Sequence, residues 1–329
     1  MAKVRAPRNR TITLSTEDKH LYSKDLFRIF ELVGLNDIEN RIANQDIFQI
    51  LDFIPQNFVD LLILDPPYNL DKAFRSTNFK KKTIDEYAKW FESWLIRLLP
   101  MLKNTATVYV CCEWYSSTAV HLILEKHLKV RNRITWEREK GRGAKKNYKN
   151  AAEDIWFATV SDDYVFNVED IKLKRRILAP YTDDCGSPKD WQKTSQGQFR
   201  LTHPSNLWND ITVPFWSMPE NTDHPTQKPE KLMAKLILAS TNNGDFVFDP
   251  FAGVGSSLVA AKKLARRFFG VEIDKEYSLL TLKRLHLAEL DESIQGYHNG
   301  VFWERNTLNL QQPNSKKKNC NTLVETLLK

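Results

Sequence analysis

The segment DFVFDPFAGVGSSLVAAKKLARRFFGVEI, residues 245–273, carries the pattern of a βαβ unit. Its ends, DFVFDP at 245–250 and FFGVEI at 268–273, are short runs of the bulky residues that suit a pleated, buried surface. Between them lie a glycine-containing turn and a stretch at 256–266 that reads as a helix. Strand, turn, helix and strand in so short a span predict parallel strands joined by a crossover helix. Further helical patterns at 228–241 and 276–290 flank the unit.

The same alternation runs upstream. VDLLILD at 59–65 is the continuous apolar run of a parallel strand buried on both faces. TVYVCC at 107–112, RITWE at 133–137 and DIWFATV at 154–160 are three more strands. The span 84–102, with Tyr87, Trp90, Phe91, Trp94 and Leu95, predicts an amphipathic helix. RIANQDIFQIL at 41–51 reads as a short strand ending near Asp46 and then a helical turn. In KHLYSKDLFRIFELV at 19–33, Leu21, Leu26, Ile29, Phe30 and Val33 recur near helical spacing and predict a helix. Strands alternating with helices argue for an α/β layered sheet. Between about 161 and 205 the periodicity gives way to charged sequence containing Pro and Gly, which predicts an insertion; the tail after Gln311 reads as loosely ordered. No internal repeat is evident.

With 329 residues, 42% hydrophobic and 27% charged, the chain has the composition of an ordinary globular protein that can bury a sizeable core. A formal net charge of +7 and a pI near 9.0 favour polyanionic partners without requiring one. The four cysteines, Cys111, Cys112, Cys185 and Cys320, match no zinc-binding spacing, and neighbours on a strand point to opposite faces. A reduced compartment and no structural metal are expected. No apolar run approaches the roughly 18 residues of a membrane span, and the basic MAKVRAPRNR start lacks the apolar stretch of a signal peptide, so a cytoplasmic protein is expected. That basic arm could follow phosphates or simply fray.

Two motifs carry chemistry. Asp65-Pro66-Pro67-Tyr68 ends the 59–65 strand, at the edge where open α/β sheets bind ligands. Two prolines stiffen the exit, so that the Asp65 carboxylate and the Pro66 carbonyl can point at one locus. Together they offer two acceptors to a primary aromatic amine, and Tyr68 offers a stacking surface worth about 1–3 kcal/mol per base. The same tetrapeptide could be only a turn with Asp65 as a cap and Tyr68 in the core. The second motif, Asp249-Pro-Phe251-Ala252-Gly253-Val-Gly255-Ser256, lies between a strand and a helix. Glu272 follows at about the twenty-residue distance that suits ribose hydroxyls. Position 258 is Leu where a dinucleotide-binding turn would have a third glycine, which disfavours nicotinamide binding.

DPPY upstream of an FxGxG turn, with His224-Pro-Thr-Gln-Lys-Pro229 shortly before the latter and NAAEDIWFA at 150–158 between, resembles the β group of amino-DNA methyltransferases, whose motifs are circularly permuted. The resemblance runs from about 42 to 290. It implies a doubly wound, mostly parallel seven-stranded sheet with one antiparallel strand, the fold of S-adenosylmethionine-dependent methyltransferases, with an inserted target-recognition region. It further implies an N-terminal arm and helix at 1–40, a catalytic half at 41–160, target recognition at 161–223, a cofactor half at 224–292 and a tail at 293–329. Asp65, Pro66, Pro67 and Tyr68 would then handle a flipped base. Phe251, Ala252, Gly253, Gly255, Ser256, Asp249 and Glu272 would hold S-adenosyl-L-methionine, with Thr226 and Lys228 near its carboxylate. Asp46 resembles an acidic residue near the cofactor's adenine, although Gln45 replaces the usual glycine, and it could equally cap the next helix. His224 reads more readily as structural than as a ligand.

The resemblance implies methylation of an exocyclic amine in double-stranded DNA, by direct in-line transfer to a base stacked on Tyr68. DPPY points to adenine N6, with cytosine N4 the alternative and a catalytically silent DNA-binding subunit a third. An RNA or protein-glutamine methyltransferase is disfavoured by the permutation. Lys80 and Lys81 after DPPY, Lys140, Arg142, Lys145 and Lys146 in the run 138–149, and Arg175 and Arg176 in the recognition region are candidate DNA contacts, although a solvated loop explains such runs as well. Most of the tryptophans there, Trp191, Trp208 and Trp216, suit core packing better than wedging into DNA. A cognate restriction endonuclease would be the functional partner, the assembly a monomer or homodimer, and membranes would not be involved.

Overall fold

The computed structural model describes residues 6–73, 78–138, 145–178, 181–194, 197–307 and 311. Its helices are α1 (Thr16–Tyr22), α2 (Leu35–Ile38), α3 (Ile47–Ile50), α4 (Ile84–Leu98), α5 (Ser117–His127), α6 (Glu230–Ser240), α7 (Ser256–Lys263) and α8 (Lys275–Leu290). Strands β1 (Arg41–Ala43), β2 (Val59–Leu64), β5 (Leu102–Cys112), β6 (Lys129–Glu137) and β7 (Ala152–Thr159) come from the first half of the chain. A hairpin of β3 (Lys72–Ala73) and β4 (Asn78–Phe79) follows β2. The second half contributes β8 (Leu173–Arg176), β9 (Gln192–Thr194), β10 (Gly197–Thr202), β11 (Leu207–Trp208), β12 (Phe246–Asp249), β13 (Arg267–Val271), β14 (Tyr297–His298) and β15 (Val301–Trp303).

The main sheet has the order β1-β13-β12-β2-β5-β7-β6-β11. Its first five strands are parallel, and β7 runs antiparallel to both β5 and β6. Seven strands with one reversed were expected; the eighth, β11, is a two-residue edge strand beside β6.

The period of two along each strand sorts side chains onto two cores. Leu62, Leu64, Val108, Val110 and Cys112 face α4 and α5, while Leu61, Ile63, Tyr109 and Cys111 face α6, α7 and α8. Adjacent Cys111 and Cys112 therefore lie on opposite faces, and both are buried free thiols. Residues 61–64 are fully buried, each worth about 1.5–3 kcal/mol of transfer free energy. Helix α4 starts at a reciprocal cap, in which Glu86 N–H donates to Thr83 Oγ1 and Thr83 N–H to the Glu86 carboxylate.

Two expectations change, and one element is new. Residues 19–33 do not form one helix: α1 ends at Tyr22, and 26–30 lie alongside β1. There the Gln45 amide donates to Ile29 O and accepts from Ile29 N–H, while Asn44 N–H donates to Phe27 O. The peptide groups of 27 and 29 are thereby committed to inter-segment bonds that a helix would have needed. Helix α5 was not read from the sequence. The 161–223 region holds strands of a second sheet, ordered β14-β15-β8-β10-β9, so residues 297–303, assigned to the tail, pack with the insertion.

Among the described residues, no helix is long and apolar enough to cross a membrane, and no cluster of three metal-ligating side chains occurs.

Candidate active site

Strands β2 and β12 are direct neighbours, with Leu61 opposite Val247 and Leu62 opposite Phe248. Their carboxyl ends, which carry Asp65 and Asp249, therefore open on the same edge although the chain separates them widely. A cavity of about 350 Å³ at that edge is lined by Asp65–Tyr68 of one strand exit and Asp249–Val254 of the other. That is the ligand position of an open α/β sheet.

The turn after β12 is built for close approach. Gly255, at φ +73°, caps α7; a Cβ there would lie 2.3 Å from Thr281 Cγ2. Gly253, at φ +55°, passes the His224 ring, which a Cβ would meet at 3.5 Å. Asp249 anchors the turn by accepting from Phe251 N–H at 3.0 Å and from the Ser257 hydroxyl. Burial pushes its carboxyl up to about 7. Glu272, just after β13, accepts Gly253 N–H at 2.8 Å and Asp274 N–H at 2.7 Å. Its carboxyl is likewise pushed up to about 7 by burial, against the pull of those two N–H groups. Beneath the turn the buried Arg284 guanidinium donates to Val254 O at 2.5 Å and Ser256 Oγ at 3.2 Å.

The exit of β2 holds a charge cluster. Lys228 Nζ lies 2.7 Å from both Asp65 oxygens, 3.1 Å from the Tyr68 hydroxyl and 3.4 Å from Glu153 Oε2. Tyr68 in turn donates to Glu153 at 3.0 Å, and Arg138 pairs with the other Glu153 oxygen. Burial alone would lower Lys228, but Asp65 and Glu153 more than offset it and hold the ammonium charged well above its usual range. Tyr68 is raised by burial and by the same two carboxylates, so it stays a neutral hydroxyl. Pro67 O accepts from the Tyr87 hydroxyl at 3.3 Å, which ties the loop to α4, and Pro66 is buried beside the cavity.

Asp46 caps α3 through Phe48 N–H at 3.0 Å, the structural one of its two readings, and it also lines the cavity. Thr226 lines the cavity too, with its N–H on His224 Nδ1 at 3.3 Å, and His224 packs edge-on against Tyr277. Phe251 packs edge-on against Trp94 at 5.1 Å, which joins the turn to α4. Ala252 is buried, its N–H on Val271 O. Lys228, implied near a cofactor carboxylate, turns its ammonium to the DPPY side.

Glu153 was not singled out from the sequence. It is 5% exposed and sits at the start of β7, whose reversed direction brings its first residues to the edge where the parallel strands end. Two adjacent acids, Glu153 and Asp154, ahead of the apolar run 155–158 were the available signal.

Of the candidate DNA contacts, Lys80 and Lys81 are exposed on the loop after DPPY, with Lys81 over the Tyr115 ring at 4.4 Å. Lys145 and Lys146 are exposed; Lys140 and Arg142 lie outside the described residues. Arg175 and Arg176 stand on β8, where Arg175 Nε is 3.6 Å from Glu304 and Arg176 N–H donates to it. Trp208 is buried against the Lys235 ammonium, a packing role, while Trp216 is half exposed.

Residues 59–283 match a family described as DNA methylase, of N6 and N4 methyltransferases. The DNA adenine methyltransferase YhdJ of Escherichia coli (strain K12) is 33% identical over 255 residues, covering 75% of this chain and 83% of that protein. The type II methyltransferase M.HpaI of Haemophilus parainfluenzae is 30% identical over 251 residues, covering 75% and 74%. Among solved structures, the M1.HpyAVI–SAM complex superposes with a TM-score of 0.52 at 27% identity, covering 74% of this chain and 98% of that one. The cytosine-N4-specific PvuII DNA methyltransferase shares the fold, with a TM-score of 0.54 at 17% identity over 74% of this chain and 85% of that one.

Proposed function

The chain belongs to the DNA methylase family of N6 and N4 methyltransferases, and from that premise we propose that it transfers a methyl group from S-adenosyl-L-methionine to adenine N6 of a flipped base in duplex DNA. One observation carries the proposal: the DPPY exit of β2 and the glycine turn after β12 lie on adjacent strands and line one cavity. Adenine is favoured by the DPPY sequence and by the adenine specificity in the name of the YhdJ relative.

The residues present fit the cofactor. Gly253 presents backbone to the cavity, Gly255 lets the turn close against Thr281 behind it, and Glu272 keeps acceptor capacity for ribose hydroxyls beyond its two N–H bonds. When bound, the cofactor supplies an electrophilic methyl group on a sulfonium. The chain's own part is to hold the amine. Asp65 and the Pro66 carbonyl accept its two N–H bonds, and Tyr68 stacks on the base, which offsets much of the few kcal/mol needed to extrude it. As positive charge develops on nitrogen, the Asp65 carboxylate stabilises it without prior deprotonation.

Lys80, Lys81, Lys145, Lys146, Arg175 and Arg176 are offered as phosphate contacts, with residues 161–223, which include β8–β10, as the recognition region. The type II names of relatives such as M.HpaI support a restriction-modification setting; a cytoplasmic location and a nuclease acting at the same site are part of the same proposal.

The test is expression in a methylation-deficient bacterial host, digestion of its DNA to nucleosides, and sequencing of modified bases. N6-methyladenine within one short sequence is expected. N4-methylcytosine instead would overturn the adenine assignment, and no methylated nucleoside would overturn the enzymatic one.

A further inference from the structure

We propose that Glu153 is a positioning residue for methyl transfer: it keeps a partner on the buried Lys228 ammonium while the Asp65 carboxylate turns to the target amine. The inference rests on the adenine-N6 reading above and adds to it a requirement that DPPY alone does not contain.

Lys228 and Glu153 have side chains 6% and 5% exposed, whereas Asp65 is 20% exposed. Of the three, Asp65 is the group open to a ligand. At rest both of its oxygens are taken by one ammonium at 2.7 Å. An Asp65 that turns towards an amine loosens that pair, and a buried cation left without a partner is strongly unfavourable. Glu153 Oε2, already 3.4 Å from Nζ, is placed to take the ammonium as Asp65 leaves it. The Tyr68 hydroxyl, 3.1 Å from Nζ and 3.0 Å from Glu153, spans the two positions and stays bonded in both. Arg138 holds the other Glu153 oxygen, which fixes the carboxylate in place.

Charge follows the same path. Asp65 and Glu153 against Lys228 and Arg138 sum to zero, so the resting pocket presents little negative field. Moving the ammonium towards Glu153 uncovers the charge of Asp65 where the amine becomes cationic. Asp65 is thus held neutralised until a base arrives, and the acid that releases it comes from a different strand.

The discriminating comparison is Glu153→Gln, which keeps the shape and removes the charge, against Glu153→Asp, which keeps the charge and shortens the reach. Single-turnover methyl transfer from labelled S-adenosylmethionine to plasmid DNA from a methylation-deficient host is measured for each, normalised to cofactor-binding sites counted by titration. E153Q is expected to slow transfer by about ten- to hundredfold, the scale of one hydrogen bond to a charged group. E153D should remain faster than E153Q. Cofactor affinity should stay close to wild type in E153Q, while its melting temperature falls because Arg138 and Lys228 lose a buried carboxylate partner. Transfer by E153Q at or above the E153D rate would overturn the proposal, because a purely structural role favours the isosteric amide. A wild-type protein that methylates no DNA would remove the underlying function, an outcome readily told apart from a mere failure of Glu153.

Discussion

The Glu272 carboxylate accepts the Gly253 backbone N–H at 2.8 Å, tying the end of β13 to the turn after β12. Burial raises this acid from the ordinary 4.5 to about 7. A free carboxylate is the form that accepts two ribose hydroxyls, so cofactor affinity should rise as pH passes through about 7, with uptake of cofactor releasing a proton. Calorimetric titration at about pH 6 and pH 8 in buffers of different ionisation enthalpy reads both effects. Glu272→Gln should weaken binding and flatten the pH dependence. Asp249 also titrates at about 7, so Asp249→Asn is the control. If E272Q keeps the wild-type slope and D249N loses it, the ribose role belongs elsewhere.

Replacing Asp65 with Ala should abolish methyl transfer while leaving cofactor affinity within a few-fold of wild type, because the turn proposed to hold the cofactor depends on Asp249, Glu272 and Arg284. The change also takes the bidentate partner from a buried ammonium. A stability loss below the roughly 3–5 kcal/mol of a wholly unpaired buried charge is expected, since Glu153 remains. Substantial turnover by D65A would remove Asp65 from the chemistry.

Much of this arrangement is legible in the sequence. Parallel strands buried on both faces announce themselves as apolar runs, so β2, β5, β12 and β13 were found, and DPPY and the glycine turn follow from where such strands end. The misses have physical causes. Helical spacing in 19–33 lost to the Gln45 amide, a contact from outside the segment. Residues 297–303 read as tail, yet Asn299-Gly300, at φ +53° and +73°, is the two-residue turn signature of a hairpin. Glu153 depended on strand direction, which no local pattern encodes.

Gly255→Ala tests the turn. The added Cβ meets Thr281 Cγ2 at 2.3 Å and the residue must keep φ +73°, so both a clash and backbone strain are introduced. A loss of about 2–4 kcal/mol in stability and a marked loss of cofactor affinity are expected. Adding Thr281→Ala removes the clash but not the strain, so the double variant should recover only part of the deficit in denaturant unfolding. Full recovery would mean that left-handed backbone costs nothing here.

Glu220 offers a cleaner electrostatic test, away from the reacting groups. Its carboxylate accepts Glu230 N–H at 2.6 Å, and Glu230 itself pairs with Arg284 and Lys263, each at 2.8 Å. Burial, and then the Glu230 charge, push Glu220 up to about 8. Between the ordinary 4.5 and about 8 the unfolded chain has lost this proton while the folded chain keeps it, so the group lowers stability as pH rises through that window and adds nothing further above it. Glu220→Gln keeps an acceptor for Glu230 N–H and has no proton to lose. Measured by urea unfolding, E220Q should match wild type at about pH 5 and exceed it at about pH 8.5, with the gap opening in between. An equal difference at both pH values would show that Glu220 is ionised in the folded protein and that its neighbours Arg284 and Lys263 outweigh its burial.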